Sequence, residues 1–380
     1  MSNDRNREQM TTPANHPAPD GGGTPLPTAN VFWVDTIGTK ESPGQLRGLS
    51  GTEGSIAIAH GFWAAGDGGG GIFWWSSSIG ADNDGTVINP STGGGSWMRL
   101  YEGELNVKWF GAKGDRSVND QPAMQKAMNA IATLGGGTVY IPPGNYRLDS
   151  SITVTANNTR IRGAGSGNGN GSHLYPTTYN PAIWGGDTGA PTPPCWEHCI
   201  IEDLGVFMFS STTIPGTSYG LILSAFTHSL VRNVKIVLNT AEGARSRGIL
   251  LQGNATTSGG HYNQLIQCDI LGVGKQRSPA SEIGIWFAPA STAIGGAARV
   301  CGNANQIIGG SVTGCTYAVW FDGAGMNIVD GLVTEGISHA HYLFYPDPKG
   351  GGHLRRQPRL RRPRGGVQRQ VDLFPHPVCG

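Results

Sequence analysis

Four carboxylates in the second half of this 380-residue chain, Asp269, Asp322, Asp330 and Glu335, are the side chains best suited to catalysis. Two carboxylates about 5 Å apart can cleave a glycosidic bond with retention; at roughly 6.5–9.5 Å they do so with inversion. An eliminating enzyme would need a base and a group that neutralises a uronate carboxylate, such as Arg, Lys or a cation. Tyr175, Tyr179 and Trp184 offer ring faces that could stack on sugars and could equally pack their own loop onto the body. Each acid also has a plain reading as a solvated outer residue. His339 and His341 could act as acid or base, but they follow the last clear repeat and read as structural or exposed. The six cysteines show no metal-ligand or Cys-x-x-Cys spacing. Most read as buried small apolar residues, and no metal or cofactor is expected.

A repeat must position these acids. Gly220-Leu221-Ile222-Leu223 aligns with Gly248–Leu251, Gly284–Phe287 and Ala318–Phe321. Each is followed by a second apolar run, beginning at Val231, Leu265, Ile307 and Ile328. The period is irregular, about 20–40 residues, as when turns carry insertions of varying length. Each coil has an apolar inner row that it cannot bury alone, and rows stacked about 4.8 Å apart bury one another. Outward positions then form columns: Asn233, Gln267, Gly309 and Asp330; Lys235, Asp269, Ser311 and Leu332; Ser224, Gln252, Ala288 and Asp322. Asn263 and Asn305 precede two of the runs at one offset, which predicts a ladder of side-chain amides between coils.

The front of the repeat lies at 107–165. Met124, Ala127, Met128 and Ile131 recur at helical spacing; Asn119 and Asp120 supply N-cap chemistry, Pro122 sits in the first turn and Gly135 stops the helix. Such a helix would plug the open end of a solenoid. The runs Phe110-Gly111-Ala112-Lys113-Gly114-Asp115 and Gly136-Gly137-Thr138-Val139-Tyr140-Ile141-Pro142-Pro143-Gly144-Asn145-Tyr146 resemble the N-terminal part of the pectate-lyase-like superfamily. They match its branch of rhamnogalacturonase-like and epimerase-like domains and phage tail spikes. Arg116 to Gln121 depart from the Gly, Asp-Asp and Thr usual there. The resemblance implies a single-stranded right-handed parallel β-helix, all-β apart from the capping helix. It does not name an activity: the paired-Asp and Gly-His-Gly signatures of polygalacturonases are absent. The string Arg356-Gln357-Pro358-Arg359-Leu360-Arg361, similar to a pectate lyase base motif, sits in Arg/Pro-rich sequence with no strand around it.

Four segments follow from composition. Residues 1–30, nearly without large apolar side chains, read as a disordered leader. Residues 31–105 carry eight Phe and Trp and turn-then-strand signals, and read as a small β-rich head. Its Gly66-Asp67-Gly68-Gly69-Gly70-Gly71 run leads into a strand and lacks the Gly-Lys-Ser/Thr ending, so it is no phosphate loop. Residues 106–346 form the β-helix, with 166–194 a Gly/Asn/Pro-rich insertion too irregular for strands. Residues 347–380 turn abruptly Arg/Pro/Gly-rich, which a frameshifted or truncated reading frame would explain. The chain has 61 Gly, 27 Lys and Arg, 26 Asp and Glu and a net charge of +1. Without the basic tail the body is mildly acidic, against nucleic acid as a partner. No apolar run reaches membrane-spanning length and no signal peptide is apparent. The head followed by the Phe-Gly-Ala run resembles the order found in tail-spike and capsule-depolymerase proteins. The expected function is therefore binding and cleavage of a surface or extracellular polysaccharide, at a virion tail or outside the cell. A homotrimer is expected if the chain is full-length. A non-cutting, adhesin-like β-helix is the second reading, and a pectinase- or epimerase-like enzyme the third.

Overall fold

The computed structural model describes residues 30–167, 169–185, 196–208, 217–238, 245–253, 260–272, 282–288, 302–322, 326–345 and 371–372. The leader to residue 29, Cys195 and the Arg-rich tail apart from Val371–Asp372 lie outside these residues.

The body is a parallel β-helix. One wall is an eight-stranded sheet running from Ile152–Thr153 through Ile183–Gly185, Thr217–Ser224, Arg245–Gln252, Glu282–Ala288 and Tyr317–Asp322 to Ala340–Tyr345, with Val371–Asp372 at its edge. Its register places Leu221, Ile249, Ile285 and Val319 in one row, as the repeat predicts. All four are fully buried, each covered by its neighbours one coil away. Crossovers between parallel strands are overwhelmingly right-handed, which is the hand expected of this solenoid.

The facing wall is a fourteen-stranded sheet that bends along its length. Ile200–Phe207 and Leu230–Val237 each cross the bend, pairing with each other on both sides of it. At the bend stand Asp203, Asn233, Gln267, Gly309 and Gly331, with φ of 57°, 50°, 51°, 63° and 70°. This left-handed conformation is what Asn, Asp and Gly tolerate. A second left-handed corner holds Asn158, His198, His228, Tyr262, Ala304 and Met326. Beside it the expected amide ladder is present and buried. Asn263 Nδ2 donates to Asn305 Oδ1 at 3.0 Å, and Asn305 Nδ2 to Asn327 Oδ1 at 3.2 Å.

Three expectations need correction. Within 166–194, Ser172–Pro176 pairs in parallel with Gly144–Leu148 and Ile200–Phe207, and Ile183–Gly185 is a rung of the other wall. A rung of three to five residues is too short to show periodicity, yet neighbours on both sides supply its hydrogen bonds. In the last coil the columns shift by one. Asp330 pairs with Ile308 and Val333 with Ser311, so Gly331 falls below Gly309 and Leu332 turns inward. The Asn305–Asn327 ladder and the bend's demand for positive φ set that register, overriding the apolar pattern. Asp120 does not cap the helix Gln121–Thr133 through its side chain. Its carboxylate accepts from the Lys113 and Gly114 N–H groups, while Asn119 Oδ1 accepts from the Gln121 N–H.

The head is a five-stranded sheet, ordered Val31–Thr36, Ile56–Gly61, Gly71–Ser76, Ser96–Arg99 and Val87–Ile88. The first pair is parallel and the rest antiparallel. Phe73, Trp75 and Trp97 fill its core, the two indoles edge to face at 5.1 Å. The Asp67 carboxylate accepts from the N–H groups of Phe62, Trp63, Ala64 and Gly69, which explains the Gly-rich turn. Buried Arg47 binds Asp82 at 2.7 Å and also Asp84, which Lys126 of the capping helix reaches at 2.5 Å. Arg99 lies over Phe73 and Trp109, at 4.6 and 4.8 Å, so head and helix share a packed seam.

Candidate functional site

Strand alternation points Ile183 and Gly185 inward and turns Trp184 out, one rung above Ile222. Gly185 is required there, because a Cβ would strike the Phe226 ring. Tyr219 precedes Gly220, whose absent side chain lets Gly248 approach. Tyr179 comes from the loop before Trp184. Together Tyr179, Trp184, Tyr219, Ile222 and Gln252 line a groove of about 490 Å³ on the outside of the eight-stranded wall. Tyr179 is 53% exposed and Trp184 39%. Gln252 Nε2 is tied to Ser224 Oγ on the preceding coil, which fixes the amide. Ser150, Ser151, Thr153 and Thr217 add hydroxyls, and no charged side chain is in the lining among the described residues. Such a groove offers apolar ring faces beside neutral donors and acceptors, the pattern that holds a sugar ring.

Tyr175 is not part of it. Its ring stacks on Phe207 at 5.4 Å, with the Arg116 guanidinium 4.1 Å above the ring. Next to it, buried His173 bonds Asn145 Oδ1 and the Gly167 carbonyl, so Tyr175 belongs to the packing around the strand Ser172–Pro176.

The four acids are spread over both walls. Asp322 ends a strand of the groove's own sheet, and the register continues from Ser224 and Gln252 through Ala288 to Asp322. Asp269 and Glu335 stand exposed on the far side of the bend in the other wall, two coils apart. The Ser311 hydroxyl donates to Asp269 Oδ1 at 2.7 Å. Asp330 sits on the near side of that bend, half-buried. His341 is held by Thr334 at 2.7 Å and burial lowers its pKa; His339 packs on Tyr317.

The buried thiols are inert: burial pushes Cys199 up to about 11 and Cys268 to about 12. Among the described residues no three or more His, Cys, Asp or Glu are placed to hold a metal. Nor is any described helix long and apolar enough to cross a membrane.

Sequence reasoning missed two features. Tyr219 went unread, and Gln252 was placed in an outward column without being joined to the aromatics; their offset from the aligned Gly-led runs was the available signal. The other is an ion-pair ladder across coils, in which the nearly buried Glu202 carboxylate takes Arg160 at 2.5 Å and Arg232 at 2.5 Å. Arg162, paired with Glu104, covers Tyr140 at 4.4 Å. Glu202 and Arg232 hold equivalent outward positions in consecutive repeats, so the alternation of charge was readable.

Residues 105–292 match the family model for rhamnogalacturonase A/epimerase, pectate lyase-like domains. Residues 39–102 match that for the phage tail protein small four-stranded β-sheet domain. The strand Val31–Thr36 precedes this match and adds a fifth, parallel strand. Alginate lyase 7 of Azotobacter vinelandii is 56% identical over 45 residues, 12% of this chain and 5% of that protein. Mannuronan C5-epimerase AlgE6 of the same organism is 50% identical over 48 residues, 13% of this chain and 6% of that protein. The chain thus spans under a tenth of the length of these curated relatives. Among solved structures, the tailspike protein gp49 from Acinetobacter baumannii bacteriophage Fri1, a capsular polysaccharide depolymerase, aligns with a TM-score of 0.45 and 12% identity. That alignment covers 80% of this chain and 62% of that one.

Proposed function

We propose, from the match of residues 105–292 to the rhamnogalacturonase A/epimerase, pectate lyase-like family model and of 39–102 to the phage tail β-sheet domain model, that this protein is a tail-spike-like polysaccharide depolymerase. The gathering of Tyr179, Trp184 and Tyr219 in one groove carries this reading. A glycan lies along the eight-stranded wall, its ring faces on the aromatics and its hydroxyls on Gln252 and the Ser and Thr side chains. Asp322 continues the Gln252 column two rungs on, about 10 Å away. It is therefore the acid we assign first to bond cleavage, as proton donor to the leaving oxygen or as base. Asp269, Asp330 and Glu335 on the other wall are the remaining candidates. The protein acts at a virion tail, as a homotrimer. Relatives named for alginate lyase and mannuronan epimerase activity support a glycan substrate.

A second reading, a β-helix that binds glycan without cutting it, is favoured by the lack of any carboxylate among the described residues that line the groove. Incubation of the purified protein with host capsule, lipopolysaccharide and alginate decides. New reducing ends mean hydrolysis, unsaturated-uronate absorbance means elimination, and an altered C5 configuration by NMR means epimerisation. Binding with none of these establishes the adhesin. No binding to any glycan refutes both readings. Asp322→Asn is expected to abolish cleavage while leaving binding intact.

A further inference from the structure

The two left-handed corners of the β-helix carry different side chains. At the bend of the fourteen-stranded wall stand Asp203, Asn233, Gln267, Gly309 and Gly331, mostly residues that the conformation suits. At the other corner consecutive coils place His198, His228, Tyr262, Ala304 and Met326, with φ from 50° to 58°. Each stands one residue before the row Cys199, Ser229, Asn263, Asn305 and Asn327, which hydrogen bonds tie coil to coil. Tyr, Ala and Met gain nothing from a positive φ. Side chains held at such a cost cluster at ligand clamps and active sites.

The first three corner residues form a stack. The His198 and His228 rings lie 5.6 Å apart at 30°, and those of His228 and Tyr262 5.0 Å apart at 22°. His261 meets the Tyr262 ring edge-on at 6.2 Å and braces it. One face of Tyr262 is thus taken by His228, and the other turns toward the next coil. There Ala304 brings only a methyl group, and the coil after it brings Met326. Tyr262 is 58% exposed and Met326 63%. Coils are about 4.8 Å apart, so the phenol ring and the thioether stand roughly 10 Å from each other. A ring centred between them lies about 5 Å from each, the spacing that the stack already keeps.

We infer that this slot takes one pyranose ring, between Tyr262 and Met326 and against the Ala304 methyl. A sugar ring has apolar faces and a rim of hydroxyls. Tyr262 supplies the platform for a face, and the adaptable Met326 side chain covers the opposite one. Gln264 and Gln306, two residues past the corner on adjacent coils, pair Nε2 to Oε1 at 3.3 Å. That pair leaves one end of each amide for the sugar hydroxyls. A planar aromatic ligand would leave those amides unmatched, which favours the sugar. The slot is separate from the aromatic groove. His228 lies four residues past Ser224, beyond another left-handed residue, Ala225, with φ of 58°. The identity of the ligand rests on the proposed glycan reading; the slot is a second hold on the polymer, on a different edge of the rod.

Titration of the full chain, labelled with methyl-13C methionine, tests this. The probes are tetrasaccharides prepared from host capsule, lipopolysaccharide and alginate, with calorimetry reporting total binding. The expected result is a saturable shift of the Met326 methyl in wild type and in Trp184→Ala, where the groove has lost its indole. In Ala304→Phe, whose own ring fills the slot, the affinity read at Met326 should fall at least tenfold while calorimetry still detects the groove. Binding by calorimetry with a still Met326 methyl overturns the slot and leaves the glycan reading standing. No binding by either measure overturns both. A Met326 response that survives Ala304→Phe, or disappears with Trp184→Ala, also overturns the slot. If Ala304→Phe fails to fold by circular dichroism, Tyr262→Ala decides in its place. Tyr262 is exposed and outside the core, so loss of the Met326 response supports the inference and its persistence refutes it.

Discussion

The head and the β-helix solve the same packing problem in opposite ways. In the head each stabilising contact is made once. Arg47 alone neutralises Asp82 and shares Asp84 with Lys126, and Asp67 alone closes the Gly-rich turn. In the helix a contact is made on every coil. Phe287 stacks on Phe321 and Phe321 on Phe344, at 5.1 and 5.0 Å, as Asn263, Asn305 and Asn327 do with their amides. A unique contact has no substitute when it is lost. A repeated one is backed by its neighbours, and damage stays with the adjoining coils. Both parts bury charge, the head in Arg47 and Asp84 and the helix in Glu202, but in the head Asp67 and Asp82 are held below the ordinary carboxylate range, so acid should separate the two.

The largest effect is expected from Arg47→Ala. It strands the buried Asp82 without its partner and should cost about 3–5 kcal/mol. Calorimetry should show the head unfolding in its own transition well below the helix. A single, barely shifted transition would mean that the network does not hold the head. Asn305→Ala removes the middle of the ladder, leaving the Asn263 N–H and the Gly260 carbonyl without their partners. A loss of about 1–3 kcal/mol is expected. Amide exchange should accelerate near residues 263 and 327 and not in the head; acceleration throughout would refute the local character of the repeat.

Acid sharpens the contrast. Burial alone would raise Asp67 and Asp82, but backbone N–H groups hold Asp67, and Arg47 with backbone N–H groups holds Asp82, below the ordinary 3.8. Depressed carboxylates bind fewer protons when folded. Their stabilisation is present above about pH 4 and is lost as pH falls through the folded values. Asp120 at the front of the helix is raised by burial, so its protonation favours the folded state. The gap between the head and helix melting temperatures should therefore widen from pH 5 to pH 3; a constant gap would contradict this. The smallest effect is at the bend. Gly331 has φ of 70° where neighbouring coils place Asn233 and Gln267, and a Cβ there meets only ordinary contacts. Gly331→Asn should change stability by less than about 0.5 kcal/mol, while Gly331→Val should cost about 1–2 kcal/mol in chemical denaturation.

What the sequence shows depends on how local each signal is. The apolar rows from Leu221 to Phe321 and the capping helix were legible because period and side-chain size suffice. The strand Ser172–Pro176 was not, since a short rung borrows its order from neighbours 28 residues before it and about 30 after. The column error at Asp330 has the same origin, because apolar residues alone fit two registers and only Asn327 beneath Asn305 chooses between them. Of the groove, Tyr179 and Trp184 were visible as exposed aromatics. Tyr219 and Gln252 join them only through lateral stacking of coils. Whether an acid lies on the groove's sheet is set by which wall it stands on, and that is why Asp322 and Asp269, alike in sequence context, face different ways.

One feature of the amide ladder reaches further. Asn263 and Asn305 are 42 residues apart and Asn305 and Asn327 only 22, yet each pair meets across a single step. The scaffold therefore registers successive turns by their matching side chains and is indifferent to how much chain travels between them. Variation of the outer surface can then accumulate in those excursions by insertion, deletion or exchange while the frame keeps its pitch. Swapping one such excursion for another of different length is a direct route to a new outer face on an unaltered rod.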